Sequence, residues 1–293
     1  MSHRVQSFLW TAWVALLALG LAGPVAAEEE ADPGPFSRFS GSAGVDFTNA
    51  YIFRGIVQED QGFIAQPWAE LDYNLYSSET GFIRDVTIGA GVWNSFHDEE
   101  TLASSSPTWL YETDWYPVVY LTLPAGFSLT TIYYFYTSPN DAFSTVQELN
   151  LKLKWDDSEA LGRFAMAPWV NLAIETHRTS FGPNEGAGVQ MGVEPTLWSF
   201  EHDRYPVTFT FPMELGLSVD DYYEDATGSE NTFGYFTWGV KASVPLAFIP
   251  KELGAWSFGV AAKGYVFSSD LANAANDGDD LQYLVVGSLG VAF

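Results

Sequence analysis

Near neutral pH, histidine is the side chain best suited to act as a general base, and beyond residue 27 the chain holds three: His97, His177 and His202. His97 and His177 fall near one expected rim of the molecule. His177 lies two residues from Glu175, on the same face of an extended segment, where a carboxylate could orient the ring for hydrolysis of a lipid or peptide bond. No Gly-x-Ser-x-Gly nucleophile accompanies the pair. No catalytic residue is therefore assigned, and an outer-rim hydrolase stays an alternative reading. Oxygen-rich clusters occur at Asp98-Glu99-Glu100, at Asp220-Asp221 with Glu224-Asp225, and at Asp277 with Asp279-Asp280. Divalent cations take such ligands, but none of these spacings follows an EF-hand pattern, and solvated loop surface is their ordinary state. Cysteine is absent, so thiolate metal sites and disulfides are excluded. No metal site or cofactor is expected.

A larger set of charges recurs at every second position of extended segments: Asp46, Glu70, Asp72, Asp85, Glu112, Asp114, Glu148, Glu175, Glu194 and Glu214, with Lys152, Lys154, Lys241 and Lys263 as the basic minority. On one wall of a water-filled lumen these acids would make the interior negative and favour cations. Paired across a narrow interior they would instead close it.

Only strands can position residues in this way. From Val146 to Trp155, Leu149, Leu151, Leu153 and Trp155 alternate with Glu148, Asn150, Lys152 and Lys154, a period of two that a helix would scramble. Segments 65–76 and 207–219 repeat the design. Turn signals cut the chain into strand cores at 40–51, 63–76, 82–95, 109–123, 127–137, 143–155, 164–177, 188–199, 207–219, 232–246, 255–268 and 281–293. This predicts an all-β, transmembrane, antiparallel up-and-down barrel of about 12 strands, with 10 or 14 as alternatives. A soluble sandwich also alternates its faces, but its strands usually run about five or six residues and carry less charge in mid-strand. Aromatic content of 16% with only 12 Lys and Arg suits a lipid-facing wall with interfacial girdles.

The N-terminal segment supplies Arg4, an apolar run from Phe8 to Leu21, and small residues at Val25-Ala26-Ala27. It reads as a signal peptide over 1–27, followed by a flexible acidic leader over 28–38 and one barrel domain over 39–293. The formal charge of −25 excludes nucleic acid as a partner and suits cations and divalent-bridged lipid headgroups. With the N-terminus in the periplasm, connections 54–62, 96–108, 138–142, 178–187, 220–231 and 269–280 become extracellular loops.

The segment Asn49-Ala50-Tyr51-Ile52-Phe53-Arg54-Gly55-Ile56-Val57-Gln58, followed by Ile64-Ala65-Gln66-Pro67, resembles the first hairpin of the TorF-type porins, bacterial outer-membrane β-barrels. It departs from them at Val57, where a hydroxyl residue is expected, and at Glu59-Asp60. Physically, Tyr51 and Phe53 suit an interfacial aromatic belt, Gly55 a sharp turn, and Arg54 a partner among lumen or lipopolysaccharide acids. The final strand places Leu281, Tyr283, Val285, Leu289 and Val291 on the face of Phe293, and so resembles the signal read by the barrel-assembly machinery. Together these features imply a channel in the outer membrane of a Gram-negative-type bacterium, passing small solutes with weak cation preference. A non-conducting structural or adhesion barrel is the other alternative. Expected partners are outer-membrane lipid and lipopolysaccharide, the assembly machinery and small solutes; the sequence leaves oligomeric state open.

Overall fold

The computed structural model describes residues 35–99, 109–202, 205–224 and 228–293. The expected signal peptide, most of the leader, Glu100 and Asp225 lie outside these residues. Twelve wall positions close into an antiparallel barrel: β1 (Phe39–Thr48), β4 (Ile64–Ser77), β5 (Asp85–His97), β6 (Leu110–Thr122), β7 (Phe127–Thr137), β8 (Val146–Trp155), β9 (Trp169–His177), β10 (Ala187–Val193) continued by β11 (Thr196–Phe200), β12 (Val207–Thr210) continued by β13 (Met213–Asp220), β14 (Phe233–Pro245), β15 (Ala255–Phe267) and β16 (Leu281–Ala292). Pairing of β1 with β16 closes the ring, from Ser42 opposite Ala292 to Thr48 opposite Val286. Phe293 extends that seam by exchanging two 2.9 Å backbone hydrogen bonds with Gly41. Between β1 and β4 the chain forms a separate two-stranded hairpin, β2 (Tyr51–Phe53) and β3 (Ile56–Glu59).

Alternation sets the two faces of the wall. On β4, Leu71 is 53% exposed while Glu70 beside it is 8% exposed. Apolar side chains on the outer face, including Leu75, Ile88, Trp115, Val119, Leu153, Val170 and Val285, are likewise exposed. A row of apolar groups left uncovered around a closed sheet is what hydrocarbon, not water, would cover. Among the described residues no helix is long and apolar enough to cross a membrane, so any crossing falls to the strands.

Two expected strands are interrupted. Proline has no N–H to donate to the ladder, and the chain breaks at Glu194-Pro195 between β10 and β11 and at Phe211-Pro212 between β12 and β13. The gaps lie side by side, bridged by the Phe211 amide donating to the Pro195 carbonyl at 3.0 Å. The first expected strand also stops early, at Thr48, because Tyr51 belongs to the hairpin.

Strand ends define two rims. One carries both ends of the barrel domain together with the connections after β4, β6, β8, β11 and β14; we call it the turn end. The other carries the connections after β1, β5, β7, β9, β13 and β15; we call it the loop end.

Candidate functional site: a hairpin and charged walls in the lumen

The hairpin lies inside the barrel. Phe53 and Ile56 are 0% exposed, and all four residues of β3 are buried. An Arg54-Gly55 turn reverses the chain with both residues at positive φ, 43° and 86°, the conformation that a two-residue hairpin turn of this hand requires. A Cβ on Gly55 would stand 2.8 Å from the Tyr235 ring on β14, so the turn needs glycine for space as well as for backbone angle. Tyr51 and Phe53 are therefore not interfacial. Tyr51 donates to Glu112 on β6 at 2.6 Å, and Phe53 packs edge-on against Tyr136 on β7. Burial on every side, which a wall strand never has, explains why an aromatic pair that looks like a membrane belt turns inward.

At the tip, Arg54 grips Glu148 on β8 with both terminal nitrogens, one contact measuring 2.6 Å, and reaches Asn150 at 3.0 Å. Glu148 also accepts from Tyr136 and Tyr222, each at 2.9 Å, and from Asn150 at 2.7 Å. Tyr222 accepts a further hydrogen bond from Arg54. Burial works against the Arg54 charge, but the facing carboxylate more than offsets it and holds the guanidinium above its ordinary range. A buried pair is tolerable when most of its remaining lone pairs and protons are also satisfied; Tyr136, Tyr222 and Asn150 do that for the carboxylate and the terminal nitrogens, while Arg54 Nε finds no partner among the described residues.

Two loop-end segments cover the hairpin. Tyr223 donates to the Arg54 carbonyl at 3.0 Å. A short helix, Ser269–Ala275, is capped by Ser268 and buries Leu271, Ala272 and Ala275. Asn276, which follows it, accepts from the Val57 amide at 2.9 Å and donates to the Gly55 carbonyl at 2.8 Å. The loop half of the lumen is thus occupied by chain.

The other expected lumen residues sort by depth. Asp46 is buried opposite Ser288, and Glu112 and Asp114 are fully buried beside the hairpin. Glu70 accepts from Tyr120 at 2.6 Å, Asp72 is half-buried, and Asp85 accepts from Asn74 at 3.0 Å. Across the lumen, Lys152 sits 4.2 Å over the Trp169 ring, and Lys154 and Lys263 are half-buried. Lys241 and Glu194 form an ion pair at 3.2 Å, with Thr210 donating to Glu194 at 2.7 Å, and Glu214 accepts from Tyr235.

The histidine readings change. Glu175 does not orient His177: it is buried and accepts from the amides of Ser180 and Gly186 (2.9 Å for the latter), which folds the 178–186 loop around it. His177 is exposed and lines an open cleft of about 760 Å³ with Asp141, Gln147 and Arg178. His97 is buried rather than at a solvated rim, stacked on Tyr111 at 4.7 Å with Nε2 2.7 Å from Ser95 Oγ. Asp98 accepts from the Phe63 amide at 2.5 Å, which ties two loops together. Among the described residues no group of three His, Cys, Asp or Glu side chains is arranged to hold a metal ion.

This geometry defines a closed twelve-stranded antiparallel barrel with an apolar exterior and a charged interior spanned by a hairpin. No family model matches the chain, and no curated protein matches it. Among solved structures it is similar to an outer membrane channel from Pseudomonas putida F1, at 11% identity and TM-score 0.47, covering 90% of this chain and 100% of that one. It is also similar to the NanC porin, at 11% identity and TM-score 0.37 over 86% and 98% of the two chains. The transport unit of the autotransporter AIDA-I from Escherichia coli is 10% identical, with TM-score 0.25 over 96% of each chain.

Proposed function

We propose that this chain is an outer-membrane channel for passive diffusion of small solutes, narrowed by its internal hairpin and weakly cation-preferring. The observation that carries the reading is the parity of the wall: apolar outside and polar or charged inside, kept around a closed ring. Acids outnumber bases on that inner wall, and the potential they set up favours cations. The resemblance of Tyr51 to Gln58 to the TorF-type porins agrees with a porin role. Export through a cleaved signal, insertion by the assembly machinery, and contact of acidic loops with divalent-bridged lipopolysaccharide belong to the same proposal.

One observation favours a second reading, a non-conducting structural barrel: the hairpin, Tyr222, Tyr223 and the Ser269–Ala275 helix fill the loop half. Reversal potential in planar bilayers under a salt gradient distinguishes the two. The channel reading expects discrete steps with a reversal potential displaced toward that of the cation. Absence of steps from folded, heat-modifiable protein would favour the structural barrel.

A further inference from the structure

We propose, resting on the outer-membrane placement in the reading above but not on conduction, that the cleft at His177 and Arg178 binds the phosphorylated sugar headgroup of a glycolipid in the surrounding leaflet.

The cleft opens at the loop end. Ser144 to Gln147, leading into β8, line its base; the connection after β7 carries Asp141 on one lip, and the end of β9 carries His177 and Arg178 on the other. Parity puts this base on the outside of the wall. Val146 and Glu148 are buried toward the interior, so Gln147 between them points outward. His177 stands directly opposite Gln147 in the β8–β9 register and shares its face. Tyr133 on β7 reaches across the same face: its hydroxyl donates to Gln147 Oε1 at 2.9 Å and lies 2.8 Å from Thr176 Oγ1. The Tyr133 ring is 5.1 Å from that of Phe135, which pairs with the exposed Trp115 on β6. Outer-face aromatic side chains toward the ends of strands mark the level where hydrocarbon gives way to headgroups. The cleft therefore sits at headgroup level, against the lipid rather than over the lumen. Leu149 and Ile174, opposite each other on the outer face below it, continue the path along which an acyl chain would lie.

The polar groups of the cleft are exposed and unspent. Among the described residues Arg178 is the only lysine or arginine exposed at the loop end, on a rim otherwise rich in acids. Its backbone amide donates to Glu185 at 2.8 Å, but that exposed carboxylate forms no ion pair with the guanidinium. The His177 ring and the hydroxyls of Ser144 and Thr145 also have no partner among the described residues. Tyr133 holds Gln147 by its oxygen and leaves the amide nitrogen to donate elsewhere. A guanidinium matches two phosphate oxygens at once, and the histidine, amide and hydroxyls supply donors for the remainder. Asp141 on the opposite lip repels a bare phosphate but accepts from a sugar hydroxyl. A sugar phosphate satisfies both lips together.

Native mass spectrometry of the folded protein in detergent, titrated with diphosphorylated lipid A in the presence of EDTA, tests this. A single lipid A should be retained per chain, with affinity falling about tenfold or more in Arg178→Gln and further in His177→Gln/Arg178→Gln. Arg163→Gln, which removes an exposed arginine at the turn end, should bind like the wild type. Equal binding of dephosphorylated lipid A or of phosphatidylglycerol, equal loss in Arg163→Gln, or displacement by an equal concentration of inorganic phosphate overturns the headgroup site. Binding that needs divalent cations, and so is absent in EDTA, overturns it too and assigns the lipid to the acidic loops instead. Conductance enters none of these outcomes, so the site can fail while the channel reading stands.

Discussion

Arg54 ties the hairpin to β8 through its guanidinium, which holds Glu148 and Asn150 in a buried site. Removing one partner of a buried pair leaves the other as an uncompensated charge, which typically costs about 3–5 kcal/mol. Arg54→Ala should therefore lower the unfolding free energy by about that amount in urea titrations of the protein in liposomes. Arg54→Met with Glu148→Leu should recover most of it, since an apolar pair leaves no charge stranded. Gly55→Ala tests the turn itself. With φ at 86° and the Tyr235 ring 2.8 Å from the position of a Cβ, it should cost about 1–2 kcal/mol or more in the same titration. An unchanged midpoint would place the turn elsewhere. The sequence suggests an acid partner for Arg54 and a sharp turn at Gly55, and both are found. Which acid cannot be read from one strand, because Glu148 lies 94 positions away, brought into reach by the ring of strands between them.

At the scale of elements, the wall strands were legible because hydrocarbon on one side and a polar interior on the other impose a period of two that nothing else in the chain obscures. Leu151 and Asn150 follow it on β8. An arginine on the lipid face near the bilayer midplane costs about 2–4 kcal/mol, so Leu151→Arg should destabilise the barrel by that amount, whereas Thr87→Arg, facing the lumen on β5, should cost far less. Equal effects would contradict the assigned faces. The hairpin was not legible as an internal element: Tyr51 and Phe53 alternate like any wall strand, and a period of two does not say whether a strand lies in the wall or within it. Ile56-Val57, apolar on both faces, was the available sign, since only a strand buried on both sides needs that. The Ser269–Ala275 helix left a clearer trace in its Ser268 cap and in Leu271, Ala272 and Ala275 on one face, hidden only because a loop was expected there.

For the whole molecule, the interior divides into a loop half narrowed by the hairpin around Arg54 and Glu148 and a turn half whose inner wall carries both carboxylates and lysines. The glutamate and histidine weighed as a base and its orienter belong to separate structures, one bracing a loop and one lining an open cleft. The most direct test compares single-channel conductance of the wild-type protein with that of a variant whose residues 51–59 are replaced by a Gly-Ser linker, both verified as folded by heat-modifiable mobility. The account predicts small cation-preferring steps for the wild type and larger steps for the variant. Silence from both, or the same step size from both, would contradict a channel narrowed by its own hairpin.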